Sequence, residues 1–179
     1  MKGILYMNNL RNNLILNTDS YKATQWMQYP TGMKNLYSYI ESRGSDFGYN
    51  KVVMFGLQAI LKKYMCTVVT QQDVERANVF IDRHIGPGIF NREGWDYIVR
   101  EHGGRLPLRV RALPEGTIVP LRTVMATVEA TEEAEGKCAW LVSLFEDLFL
   151  QLWYTCTVAT ISYSILEVGK KFWERTVDN

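Results

Sequence analysis

Residues 148–166 run for 19 positions without a charged side chain, long enough on paper to cross a bilayer as a helix. The composition of the run points elsewhere. Gln151, Thr155, Thr157, Thr160, Ser162 and Ser164 interrupt it, threonine rather than leucine fills its centre, and Glu146-Asp147 stand just before it. The pattern predicts a helix buried inside a protein and no membrane partner. Upstream, Leu141, Leu144, Phe145, Leu148 and Leu152 keep helical spacing, and Ser143, Glu146, Asp147 and Gln151 form a narrow polar strip. A helix so apolar must be nearly enclosed, either centrally in its domain or by a partner subunit.

The remaining composition supports a packed chain. At 179 residues, 47% hydrophobic and 22% charged, it can bury about 70% of the surface an unfolded chain exposes, which excludes disordered, collagen-like and disulfide-scaffold classes. The formal charge of +1 removes the simplest basis for nucleic acid as a partner. Three widely spaced cysteines, Cys66, Cys138 and Cys156, read as reduced, buried thiols of a cytoplasmic protein. His84 and His102 are 18 residues apart and neither is near a cysteine, so no metal site is expected. Residues 4–7, between Lys2 and Arg11, are too short for a signal h-region and lack a small-residue cleavage site.

No repeat, low-complexity tract or linker divides residues 1–179, which read as one domain. Leu14-Ile15-Leu16 is predicted extended. Thr18, Asp19 or Ser20 can then cap a short helix to about Met27, stopped by Pro30-Thr31-Gly32. Leu36, Ser38, Ile40 and Ser42 alternate with Tyr37, Tyr39, Glu41 and Arg43 as a strand. Leu57, Ile60, Leu61 and Tyr64 mark a helix within residues 51–64. A second helix starts at a Thr70-x-x-Asp73 capping box, shows Val74, Ala77, Ile81 and Ile85 on one face and stops at Gly86-Pro87-Gly88. A third carries Trp95, Ile98 and Val99 and closes at Gly103-Gly104. From Leu106 the period becomes two: Leu108, Val110 and Ala112 oppose Arg109 and Arg111, and Val124, Ala126, Val128 and Ala130 oppose Thr123, Met125, Thr127 and Glu129. Half-wet strands of this kind pair antiparallel. The fold class is α+β, an antiparallel or mixed sheet with packed helices.

Walker A, G-x-G-x-x-G, H-E-x-x-H and G-x-S-x-G signatures are absent. Both histidines read as solvated side chains, and no residue is a convincing nucleophile. Arg105, Arg109, Arg111 and Arg122 read as a solvated sheet face, without the interleaved aromatics that stack on bases. Thr18-Asp19-Ser20-Tyr21-Lys22 is denser: it is either a helix cap or a turn whose side chains converge on a small ligand. Tyr37-Tyr39-Glu41-Arg43 on one strand face suits an aromatic ring and a phosphate, and equally suits ordinary packing with a Glu-Arg pair.

The order of short segments narrows the choice. Asn13-Leu14-Ile15-Leu16, Thr18-Asp19-Ser20-Tyr21-Lys22, Gln28-Tyr29-Pro30, Tyr37-Ser38-Tyr39-Ile40-Glu41-Ser42-Arg43 and Phe55-Gly56-Leu57-Gln58 resemble, in this order, the start of the nicotinamide phosphoribosyltransferase family. Phe90-Asn91, Gly94-Trp95, Leu106-Pro107, Pro114-Glu115-Gly116, Val128-Glu129 and Trp153-Tyr154 followed by Thr157-Val158-Ala159-Thr160 continue the match. The resemblance spans roughly residues 13 to 165, and the related nicotinate enzymes fit the spacing less well.

The resemblance implies a cytoplasmic homodimer that joins nicotinamide to phosphoribosyl pyrophosphate, forming nicotinamide mononucleotide and pyrophosphate in NAD salvage. It implies the N-terminal domain fold of type II phosphoribosyltransferases. In that family the site lies at the dimer interface. Asp19 and Tyr21 then reach from one subunit toward the other's site, Tyr21 stacking on the pyridine ring, and Arg43 lies near the phosphate end. Magnesium and ATP are implied by the family alone, with no ligands for them in this chain. The later barrel domain, with the second ring-stacking aromatic, the amide-binding aspartate, the phosphorylated histidine and the pyrophosphate-binding residues, has no counterpart here, so the chain is expected to be inactive alone. Met1 reads as a natural start and Asp178-Asn179 as an arbitrary end. A complementary C-terminal barrel chain completes the enzyme on this view. The alternative is a non-catalytic binding or regulatory module paired with a barrel-containing chain.

Overall fold

Alternating side chains become two antiparallel sheets in the computed structural model, which describes residues 13–134 and 136–177; residues 4–7 and the Met1 and Asp178-Asn179 ends lie outside the described residues. Strands β1 (Tyr37–Glu41), β3 (Leu108–Ala112) and β5 (Val124–Ala130) form a three-stranded sheet in the order β1-β5-β3. Strands β2 (Lys51–Val53) and β4 (Ile118–Pro120) pair separately. Helices α1 (Lys22–Gln25), α2 (Leu57–Ile60), α3 (Gln71–His84), α4 (Arg92–Glu101), α5 (Trp140–Leu144), α6 (Glu146–Leu150) and α7 (Leu152–Thr176) pack around them. This is the predicted α+β class.

Several local expectations hold for the predicted reason. Thr70 accepts from the Asp73 N–H at 3.2 Å and the Asp73 carboxylate accepts from the Thr70 N–H at 2.9 Å, closing the capping box of α3. Val74, Ala77 and Ile81 are buried beneath it. Trp95 and Ile98 are the buried face of α4, with Trp95 edge-on to Trp140 and Phe145 at 5.2 and 6.3 Å. The predicted antiparallel pairing is found between β3 and β5 and between β1 and β5.

Other expectations are corrected. Leu14–Leu16 is a 3-10 turn, not an extended stretch, capped by Asn13, whose side chain accepts from the Ile15 N–H. Lys51–Val53 forms β2 before the helix begins, because Val52 and Val53 are buried opposite Val119 and Ile118. β1 ends at Glu41, before Ser42 and Arg43. A bulge between Ile40 and Glu41, paired with Ala126 and Val124, leaves Met125 without a partner on β1. The extra residue turns Met125 into the core and Val124 outward, the reverse of the expected alternation.

The apolar C-terminal stretch is enclosed only in its first half. Leu141, Val142, Phe145, Leu148 and Leu152 are fully buried, and the chain bends between α5, α6 and α7 instead of running as one helix. Beyond Leu152 only Cys156 and Thr160 of α7 are buried. Val53 donates its N–H to Thr160 Oγ1 at 3.0 Å, which seats α7 on β2. The outward face bears Trp153, Tyr154, Ile165 and Trp173, each more than 60% exposed. The predicted buried helix is therefore half open, because residues 148–166 are apolar on more than the one face that β2 covers. No helix among the described residues is long and apolar enough to cross a membrane.

The polar corner between α5 and α6 receives the N-terminal segment. Lys22 is 4% exposed, and its ammonium donates to Glu146 at 2.7 Å with Asp147 at 3.8 Å. Burial disfavours the charge, but the hydrogen bond to Glu146 and the two carboxylates outweigh it and raise the pKa above the ordinary 10.5. A pKa raised by folding stabilises fully below the unfolded value and is lost as pH climbs through the folded one. Glu146→Gln should thus cost about 1–3 kcal/mol in urea unfolding near neutrality. The deficit should stay level between about pH 6 and 9 and shrink above 10.5, where Lys22 loses its proton. A deficit that drifts across the neutral range would contradict this lock.

Gly103 and Gly104 both have positive φ, but a Cβ on Gly104 would lie 2.0 Å from the Val69 carbonyl oxygen whereas Gly103 faces open space. Gly103→Ala should cost about 1–2 kcal/mol for the left-handed backbone, and Gly104→Ala at least twice as much. Equal losses in urea unfolding would mean that the approach to Val69 is not a constraint.

Candidate functional site

The segment from Thr18 to Lys22 is anchored by nearly every polar group it has. Thr18 Oγ1 donates to the Leu144 carbonyl at 2.6 Å and lies 3.2 Å from Asp147 Oδ2. The Asp19 N–H donates to the same carboxylate oxygen at 2.8 Å, and Ser20 Oγ is 2.8 Å from His84 Nε2. These bonds explain why the expected helix cap is missing. Tyr21, already in helical conformation, precedes α1 with no side-chain cap, because the Thr18 and Ser20 hydroxyls are drawn to α5 and α3. The Asp19 carbonyl takes the Lys22 N–H at 3.0 Å instead.

Two side chains of the segment are not used in this way. Among the described residues the Asp19 carboxylate and the Tyr21 hydroxyl make no hydrogen bond. Tyr21 is 57% exposed, and the Lys22 ammonium lies 5.4 Å from its ring centroid. Asp19 lines a small cavity of about 50 Å³ together with His84, Phe80 and Trp95.

Arg43 lies on a different concavity, an open groove of about 390 Å³ lined by Tyr37, Tyr39, Glu41, Thr127, Glu146 and Leu150. Arg43 has no ion pair among the described residues, so of the two readings of this strand face the one with a Glu-Arg pair is not found. Both tyrosines are 56% exposed, as the alternation predicts. Within one chain, Asp19 and Arg43 thus occupy separate cavities. Glu146 connects them, since it holds Lys22 and also lines the groove.

The other sequence candidates are engaged elsewhere. Arg109 pairs with Glu132 at 2.6 Å and Arg111 with Glu129 at 2.6 Å; the Arg109 guanidinium holds the Glu132 carboxyl down to about 2. Cys138 and Cys156 are buried free thiols, with burial pushing Cys138 up to about 11. Cys66 is exposed, against the expectation of three buried thiols. His84 and His102 are not simply solvated. His84 bonds Ser20 and stacks on Phe80 at 5.5 Å, and His102 sits edge-on to Tyr97 at 5.4 Å with Nε2 buried and unpartnered among the described residues. No group of three or more His, Cys, Asp or Glu gathers among the described residues to hold a metal ion, and Glu146 and Asp147 already serve Lys22, Thr18 and Asp19, so no residue here is assigned to magnesium or ATP.

Sequence reasoning missed Asp147 and His84. A signal existed for the first: two adjacent carboxylates in an otherwise apolar helical run need a buried cation, and Lys22 supplies it. Nothing in the sequence brings His84 to Ser20 across 64 residues.

Comparison with known proteins follows the same lines. Residues 13–110 match the model of the nicotinamide phosphoribosyltransferase N-terminal domain. A nicotinamide phosphoribosyltransferase of Xanthomonas campestris pv. campestris (strain 8004) is 44% identical over 167 residues, 93% of this chain and 34% of that protein. One from Acinetobacter baylyi is 32% identical over 162 residues, 81% of this chain and 31% of that protein. The chain spans about a third of the length of these relatives. The crystal structure of human nicotinic acid phosphoribosyltransferase superimposes with a TM-score of 0.58 at 22% identity, covering 80% of this chain and 26% of that one, a likeness of fold. With more than half of its residues matched by that domain model, the chain belongs to the nicotinamide phosphoribosyltransferase family.

Proposed function

We propose that the chain is the N-terminal portion of an enzyme that forms nicotinamide mononucleotide and pyrophosphate from nicotinamide and phosphoribosyl pyrophosphate, a step of NAD salvage in the cytoplasm. Its part is to supply substrate contacts across a dimer interface. The observation that carries this reading is the division of labour within residues 18–22: the Thr18, Ser20 and Lys22 side chains are bound down, whereas the Asp19 carboxylate and the Tyr21 hydroxyl make no hydrogen bond among the described residues. A planar phenol ring on a rigid backbone is a stacking surface for a flat heteroaromatic. A guanidinium with no ion pair among the described residues, beside two exposed tyrosines, suits phosphate oxygens. Because Asp19 and Arg43 lie on separate concavities of one chain, they serve complete sites only when other chain closes over them. That fits a site shared between subunits and a barrel supplied by further chain.

Two measurements test this. The 179 residues alone should form no nicotinamide mononucleotide, and adding a complementary barrel chain should restore turnover; turnover by these residues alone would overturn the proposal. In the catalytically complete protein, Tyr21→Ala should raise the KM for nicotinamide by up to about tenfold, the worth of one aromatic stack, with Tm unchanged. Arg43→Ala should instead raise the KM for phosphoribosyl pyrophosphate. An unchanged KM for nicotinamide in Tyr21→Ala would remove the stacking role.

A further inference from the structure

Four of the five residues from Thr18 to Lys22 hold the segment in place, and they do so against three elements. Toward α5, the Thr18 hydroxyl donates to the Leu144 carbonyl at 2.6 Å. Toward α6, Asp147 Oδ2 receives the Asp19 N–H at 2.8 Å, and the Asp147 side chain is only 19% exposed. Toward α3, His84 Nε2 meets Ser20 Oγ at 2.8 Å. The His84 ring is itself fixed by stacking on Phe80, one turn earlier in the helix, at 5.5 Å and 29° between planes. An exposed aromatic contributes to binding chiefly when its backbone is already in place, since otherwise the ligand must order the loop. Residues 19 and 21, which carry the two unbonded side chains, are flanked on each side by an anchored neighbour.

We infer that His84 and Asp147 are positioning residues for nicotinamide: they clamp residues 18–22 from α3 and α6 and so present the Tyr21 ring at a fixed place. This rests on the proposed contact between Tyr21 and the pyridine ring. His84 acts through geometry, because a serine hydroxyl can donate to a neutral ring nitrogen or accept from a protonated one. Asp147 acts as the acceptor for the Asp19 N–H, a role that an amide oxygen can also fill.

The test compares His84→Ala, His84→Gln, Asp147→Ala and Asp147→Asn in the catalytically complete protein, each alone and combined with Tyr21→Ala. The alanine variants should raise the KM for nicotinamide about three- to tenfold, with kcat within about twofold because the lost interaction is uniform binding. Gln and Asn, which keep an acceptor within reach, should restore most of the affinity. In the Tyr21→Ala background, His84→Ala and Asp147→Ala should add nothing, since they act through the same ring. His84 lies exposed at the end of α3, so its variants decide the matter even if Asp147→Ala does not fold. If Tyr21→Ala raises the KM but the His84 variants leave it unchanged, or add to it independently, the clamp is wrong and the functional proposal stands. If Tyr21→Ala itself leaves the KM unchanged, the functional proposal fails and the clamp's role with it.

Discussion

A pair of carboxylates at the start of α6, just past the bend that follows the apolar helix α5, sets the terms for the rest of the molecule. Leu141, Val142, Phe145, Leu148 and Leu152 are buried on every side, which requires sheets, helices and the N-terminal segment to wrap around them. Glu146 and Asp147 sit at the bend, where carboxylates near buried surface need partners. Lys22 meets the first, and the Asp19 N–H meets the second. The core thereby fixes a segment more than 120 residues away in sequence.

That coupling links packing to function. Binding down residues 18–22 leaves the Tyr21 hydroxyl and the Asp19 carboxylate without a hydrogen bond among the described residues, and the same Glu146 borders the groove that Arg43 lines. Family membership and a span of about a third of the relatives' length give these groups a chemical context. In the proposed enzyme the domain presents ligand contacts, and the reacting centre is completed elsewhere.

Much of the fold was legible from local patterns. The Thr70-x-x-Asp73 box, the Trp95 and Ile98 face and the alternation of β1 and β3 all follow from interactions between near neighbours in sequence. What was not legible depends on distant contacts. A bulge at Met125 reversed an alternation that looked clean, and Lys51–Val53 became a strand only because β4 lies beside it. The 3-10 turn at Leu14–Leu16 likewise follows from its Asn13 cap rather than from its apolar composition. For the site, the motif Thr18-Asp19-Ser20-Tyr21-Lys22 stood out as either a cap or a ligand turn. The fold removes the cap, because the Leu144 carbonyl and His84 claim its hydroxyls, and neither partner could be assigned without the tertiary structure.

In the proposed enzyme this chain lends Tyr21 to a nicotinamide site, and a crystal structure of the catalytically complete protein with nicotinamide bound is the direct test. The pyridine ring should lie flat on Tyr21 at about 3.5 Å, ordinary van der Waals contact, with residues 18–22 still held by Asp147 and His84. A nicotinamide ring bound away from Tyr21, with that side chain left in solvent, would contradict it.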